Sequence, residues 1–351
     1  MTIAGYQQFK VLRPGLFTTV QDCGRYGWQK YGVPVSGVLD HFAAGVANLL
    51  LGNSHEAALL ECTISGPTLF ALDEAMVAVT GAAVPITIND QPAPGWTALR
   101  LHRGDILQIG SARTGCRAYL AVSGGIAVPP VMGSRSCYPG AGIGGHNHGL
   151  PLREGDRLAR GPGAFVPPGL QLAEEFRPDY PSEVVLRAIP GPQDGYFGQG
   201  LEHFFSATFQ VSNDASRMGY RLQGEAVRQK AGMPASIISE PSFPGGVQIP
   251  PDGQPIIILV EQTVGGYCKI ATVITSDLPR LAQTLPGHQL RFARVNLAQA
   301  CLIATEQAEL MTTIDQSLAD QRRTILQQKP SFDERQSRFA ELYPECLPPT
   351  M

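Results

Sequence analysis

The sequence predicts a mainly β fold, and three features carry that expectation. Glycine (39) and proline (29) together make about one residue in five, against roughly one in eight in an average protein. They are spread along the chain between short apolar runs, so they mark turns and not disorder. Many of those runs are β-branched and too short for helices, and helical spacing is sustained over a long stretch only near the end, at residues 297–328. A chain of 351 residues can bury more than one core. A proline-rich stretch near the middle divides it into a first β domain (1–165), a linker (166–183), a second β domain (184–295) and a helical tail (296–351).

Taken in order, Val11 to Val20 reads as strand interrupted at Pro14-Gly15, and it runs into Thr19, Gln21, Asp22, Gly24 and Arg25. A carboxylate, an amide and a guanidinium at a strand end either grip a planar polar ligand or pin the loop through an Asp22–Arg25 ion pair. After the turn Gly32–Gly37, Asp40 precedes a helical pattern over 41–51 and is placed to cap it or to face a ligand. Glu61 sits among apolar neighbours in a strand over 59–64; buried there, it must be paired or functional. Short strands follow at 76–80, 85–88, 106–109 and 116–122. The glycine-rich run Gly140 to Gly149 lacks the following helix and the lysine of a phosphate loop, so it reads as a mobile loop over the site. His146 and His148 have no third partner at metal-ligand spacing, and no metal is expected.

In the second half a strand over 184–189, a short helix or loop over 197–205 and a strand over 208–211 lead to a polar loop. There Arg217 and Arg221 form either an anion clamp or a surface pair. The stretch from Ser239 to Phe292 is the most informative. Pro250-Pro251-Asp252-Gly253 is a hairpin turn, with Gly253 supplying positive φ, before a buried strand at 255–260. Gln262, Thr263, Gly265, Gly266, Tyr267 and Lys269 then bring bare backbone, an amide, a hydroxyl, a phenol and an ammonium between two strands, which suits either a ligand-facing loop or a Gly-Gly bulge. A helix over 297–328 and a charged extension at 332–342 complete the tail, expected to pack on its own barrel or on a partner subunit.

The charge balance, 27 basic against 30 acidic residues, disfavours nucleic acid and anionic membrane. No apolar stretch approaches a membrane span and no signal core opens the chain. Seven scattered cysteines without a CxxC pair suggest free thiols in a cytoplasmic protein.

TTVQDCGRYGWQKYGVPVSGVLD, ALLECTISGPTLF, YLAVSGGIAVPPVMGSRS, IPGPQD, SRMGYRL, GGVQIPPDGQPIIIL and QTVGGYCKIATVI, in this order, resemble the biotin-dependent carboxyltransferase family. That family includes allophanate hydrolase subunit 2, KipA and the C-type component of bacterial 5-oxoprolinase (PxpC). The resemblance implies two cyclophilin-like β-barrel domains with a cleft between them in which a small cyclic or planar amide binds, and a B-type partner (KipI- or PxpB-like), with an A-type partner in 5-oxoprolinase. It implies ATP use by the complex, with no cofactor covalently bound to this chain and carboxybiotin, where used, delivered by a partner; a homo-oligomer stays open. The activity implied is ATP-dependent opening of 5-oxoproline to glutamate, the alternatives being carboxyl transfer to urea or a related amide and a KipA-like regulatory role without turnover. Carried over by position, Asp22, Arg25, Tyr267 and Lys269 are the implied catalytic residues. Thr19, Gln21, Asp40, Glu61, Arg217, Gln248, Gln262, Thr263, Gly265 and Gly266 are the implied substrate-binding residues. The family's D-x-Q-T-T-G-G-Y-P is altered here by Val260, Val264 and Cys268.

Overall fold

The structure, a computed structural model, describes residues 6–163 and 166–327. Among these residues the architecture is mainly β with four α-helices: α1 (His41–Leu50), α2 (Gln199–Ser206), α3 (Leu278–Ala282) and α4 (Leu297–Gln327).

The first half stacks two sheets. One has six strands, in the order Arg157–Arg160, Tyr6–Arg13, Thr68–Ala71, Ile106–Ile109, Ile86–Ile88, Gln91–Ala93. The other has five: Phe17–Gln21, Leu59–Thr63, Thr114–Val122, Ala75–Ala83, Ala98–Leu101. Phe9, Val11, Leu60, Leu69, Val77, Leu107 and Leu120 fill the space between them. Because strand side chains alternate, Leu60 and Cys62 enter this core while Leu59 and Glu61 point to the opposite face. Likewise Leu120 enters the core while Tyr119 and Ala121 face α1. That opposite face carries the polar residues discussed below.

The second half closes into a seven-stranded barrel, in the order Glu183–Pro190, Cys268–Val273, Gly246–Ile249, Ile256–Ile258, Gly219–Gln223, Thr208–Ala215, Gln289–Arg294. Closure leaves the barrel no free edge, and Glu183–Pro190 and Gln289–Arg294 form its parallel pair. Leu186, Tyr220, Val247, Ile257 and Ile270 line the interior, and α2 plugs it with Phe204, whose ring stacks on Phe292 with centroids 4.3 Å apart. The expected hairpin at 250–253 is present: Gly253 has φ 81 and its N–H donates to Pro250 O at 2.9 Å.

Three expectations are corrected. The strand expected to end at Val211 continues to Ala215, because after a bulge between Val211 and Ala215 pairing with Gly219–Gln223 resumes at the Ala215–Tyr220 pair. The tail helix α4 meets its own half at Thr275–Asp277 but also packs across the chain on the first half, which was not expected. Its apolar residues Leu310, Met311, Ile314 and Leu318 form one stripe that meets α1, where Gly45 leaves room for Met311: a Cβ there would lie 3.1 Å from Met311 Cε. The charged extension at 332–342 lies outside the described residues. The third correction concerns 140–149, which is knitted by backbone hydrogen bonds such as Tyr138 N–H to Ile143 O (2.8 Å) and Gly149 N–H to Gly144 O (2.6 Å), and so is a built loop rather than the free flap its glycines suggested. The proline-rich segment after 165 is packed as well: Val166, Leu170 and Leu172 are buried beside α1, and the backbone at 169–172 hydrogen-bonds Trp96 and Ala98.

Candidate functional site

The residues singled out from the sequence fall into three groups. The first organises a loop. Asp22, at the end of Phe17–Gln21, accepts from the hydroxyls of Ser134 (2.6 Å) and Ser136 (2.5 Å) and from the backbone N–H of Gly24 (2.9 Å) and Arg135 (2.5 Å). A carboxylate with four donors is spent on holding the 134–136 turn. Arg25 is buried and makes no ion pair with Asp22; its Nη2 donates to Ser136 O at 2.5 Å, and its Nη1 has no hydrogen-bond partner among the described residues. Burial pulls its pKa down from the usual guanidinium value. Gln21 bridges two loops, donating to Cys137 O (3.2 Å) and Thr19 Oγ1 (3.0 Å) and accepting from Gly37 N–H (3.1 Å).

The second group welds the two halves. Thr19, Glu61 and Tyr119 stand in register across three neighbouring strands, and Glu61 is 1 % exposed. Its carboxylate accepts from Arg217 Nη1, from Tyr119 Oη (2.9 Å) and from Leu39 N–H (2.9 Å), with Arg117 Nε at 3.7 Å. Burial alone would raise the Glu61 pKa, but the two guanidinium groups and the hydrogen bonds bring it below the usual carboxylate value. Arg217, from the second half, also donates to Gly37 O (2.6 Å) and pairs with Glu261 (2.6 Å). Arg221 is exposed, so the two arginines do not form one clamp. Arg117 crosses in the other direction, to Tyr220 Oη (2.7 Å). Asp40 caps α1 by accepting from Ala43 N–H (2.9 Å), and its other oxygen accepts from Gln283 Nε2 (2.7 Å). Burial pushes the Asp40 pKa up to about 6 against these two donors.

The third group lies on the outer face of the barrel. Gln248 and Lys269 are direct cross-strand partners, so their side chains share a face; their neighbours Val247, Ile249, Cys268 and Ile270 fill the interior. A short ribbon, Glu240–Pro241 paired with Val264–Gly265, lies over them. Under it Lys269 Nζ donates to Glu240 Oε1 (2.7 Å), Gln193 Nε2 donates to the same oxygen (3.0 Å), and Gln193 Oε1 accepts from Lys269 N–H (2.9 Å). The Lys269 hydrogen bond draws the Glu240 pKa below its usual value. Gln248 Nε2 and Ser242 Oγ are buried there without a hydrogen-bond partner among the described residues. A Cβ at Gly265 would run into Gln248 Nε2 and come within 3.1 Å of Ser242 Oγ. Gln262 donates to Val264 O (2.9 Å), Thr263 O accepts from Ser242 N–H (2.9 Å), Gly266 O accepts from Ile237 N–H (2.8 Å), and Tyr267 stays partly exposed beside them.

Sequence reasoning passed over Arg117, Tyr119, Gln283, Glu240 and Ser242. Arg117 and Tyr119 carried a signal, two polar groups one strand period apart in the apolar run CRAYLAV. The others become meaningful only through long-range contacts. Among the described residues no cluster of three or more His, Cys, Asp or Glu could hold a metal, and no helix is long and apolar enough to cross a membrane.

Residues 31–294 match the family described as carboxyltransferase domain, subdomain A and B. The chain is 37 % identical to the C-type component of Escherichia coli 5-oxoprolinase over 83 % of its own length and 92 % of that protein. It is 31 % identical to urea amidolyase of Lachancea kluyveri, aligning with 88 % of this chain but 18 % of that much longer protein. Among solved structures, the Kluyveromyces lactis urea carboxylase superposes with a TM-score of 0.81 at 30 % identity, covering 88 % of this chain and 29 % of that one. The chain therefore belongs to the carboxyltransferase-domain family.

Proposed function

We propose that this chain is the C-type component of a multi-subunit, ATP-dependent enzyme that opens 5-oxoproline, and that it holds the lactam on the outer face of its barrel beneath the ribbon at 240–241 and 264–265. The carrying observation is the set of polar groups collected there: Lys269 held by Glu240 and Gln193, with Gln248 Nε2 and Ser242 Oγ buried and unpartnered beside them. A buried polar atom without a partner is costly. A planar amide supplies what these atoms lack, since its carbonyl oxygen accepts from Gln248 Nε2 and Lys269 Nζ while its N–H donates to the second oxygen of Glu240.

The chemistry follows from that placement. Attack on an amide carbonyl places negative charge on its oxygen, and a fixed ammonium 2.7 Å from its counter-ion is already oriented to receive it. Glu240 holds Lys269 in place and offers an acceptor to the lactam N–H. Tyr267, partly exposed next to this set, covers a ring face. Asp22, Arg25, Glu61, Asp40 and Arg217 act at one remove in this reading: they fix the 134–137 turn and the junction between the halves, and through Glu261 the junction reaches the strand end that leads into Gln262. ATP chemistry falls to partners of A and B type, because the sequence holds no nucleotide-binding loop.

The test is a 5-oxoproline-dependent ATPase measurement on this chain co-expressed with its cognate A-type and B-type partners, beside an identical mixture without it. Activity confined to the complete mixture supports the reading. A stable complex with the same activity in both mixtures overturns it. A second reading, carboxyl transfer to urea, draws on the similarity to urea amidolyase, and urea-dependent turnover in the same mixtures distinguishes it.

A further inference from the structure

A cleft of about 580 Å³ lies between the two halves, and Gln248, Lys269 and Glu240 are not among its lining residues. The first half contributes Tyr26, Gln29, Val35, Ser36, Leu39 and His41. The barrel side contributes Ile189, Phe243, Leu259 and Val273 together with the polar Thr272, Thr275 and Ser276, and the first turns of α4 close it with Leu297, Ala300, Cys301 and Ala304. Its size is that of small-molecule sites, commonly 300–1,000 Å³. Two features give it chemical character. None of the lining residues is Asp, Glu, Lys or Arg, although charged residues meet densely at the junction nearby. And Ser36, 1 % exposed, lines the cleft with a hydroxyl that has no hydrogen-bond partner among the described residues. Its backbone is held at φ 56, the left-handed region that a serine rarely adopts, and its N–H donates across the junction to Val260 O at 2.9 Å.

We infer that this cleft is a second binding site, for a neutral and mostly apolar small molecule that carries one hydrogen-bonding group for Ser36 Oγ. A carboxylate such as 5-oxoproline, or a nucleotide, would lose water there with no lysine or arginine to meet it, so both are disfavoured on desolvation grounds. A ligand in this position touches the first half, the barrel and α4 together. It therefore stabilises their mutual arrangement by mass action, independently of the amide reading above.

The test uses N-phenyl-1-naphthylamine, a neutral apolar fluorophore with a single N–H, titrated into the full chain. Saturable fluorescence enhancement at one site per chain is expected. Ala304→Trp, a change at an exposed helix position that fills the cleft, weakens binding at least tenfold, and Ser36→Gly, which removes the hydroxyl and relieves the left-handed backbone, weakens it severalfold. Cys301 is exposed and free, so the bound probe also slows its alkylation by N-ethylmaleimide, read by mass spectrometry. Non-saturable enhancement, or saturable binding that Ala304→Trp leaves unchanged with Cys301 unprotected, overturns the inference. Circular dichroism of both variants establishes that they are folded.

Discussion

Replacing Glu61 with Gln removes one negative charge from between two guanidinium groups and leaves the shape of the side chain intact. Arg217, Arg117 and Glu61 have side chains 5 %, 4 % and 1 % exposed, so solvent screening offers little relief. Arg217 keeps Glu261 and Gly37 O. Arg117 keeps Tyr220, but the two cations then face each other across a neutral amide whose NH2 is itself a donor. Breaking a buried pair in this way costs about 3–5 kcal/mol. With a urea dependence of about 3 kcal/mol per molar for a protein this large, the unfolding midpoint falls by about 1–1.7 M. The exposed pair Arg100–Glu74, 41 % and 48 % exposed, is the control: Arg100→Ala costs no more than about 1 kcal/mol. If Glu61→Gln and Arg100→Ala shift the midpoint equally, the carboxylate is not what joins the halves and the reasoning fails.

Two further outcomes follow from the same geometry. Asp40 has its pKa raised in the folded state to about 6, so the folded protein holds that proton where the unfolded chain has released it. Its contribution favours folding below about pH 4 and is lost as pH rises through 6, by about 3 kcal/mol in total; pH-dependent urea unfolding of Asp40→Asn should lack this component, and an unchanged pH profile would count against it. Gly265→Ala drives a methyl group into Gln248 Nε2. In the reconstituted complex it should lower amide-dependent turnover about tenfold or more while the melting temperature stays near that of the parent, since the displaced atom is the end of a flexible side chain with no hydrogen bond to lose; full activity would mean that this space is not used.

The strands were legible as short β-branched runs between turn residues, their closure into a barrel was implied by the family resemblance, and the Pro250–Gly253 hairpin follows from local chemistry alone. Helix α1 was legible from its spacing and from Asp40, whose capping role is present at 2.9 Å. What the sequence did not display was partnership. Nothing local says that Glu61 meets Arg217 across 156 positions or that Gln283 reaches Asp40 across 243. The same holds for Asp22: three residues from Arg25 in sequence, it spends most of its acceptor capacity on Ser134, Ser136 and the Arg135 N–H, more than a hundred residues on. The stripe on α4 announced a packed helix but not which surface it covers, because any apolar face would satisfy it. Gln262 to Lys269 was recognisable as unusual from its glycines, yet the groups that give it chemical sense, Glu240, Ser242 and Gln193, arrive from two other loops.

The most direct test of the central claim is the 5-oxoproline-dependent ATPase rate of the reconstituted complex carrying Lys269→Met, with assembly checked by gel filtration. Losing a fixed donor at the developing oxyanion costs about 100-fold or more, so a complex that assembles normally and turns over at about one hundredth of the parent rate or less is the predicted result. A Lys269→Met complex with parental activity would contradict the placement of the amide on the barrel face.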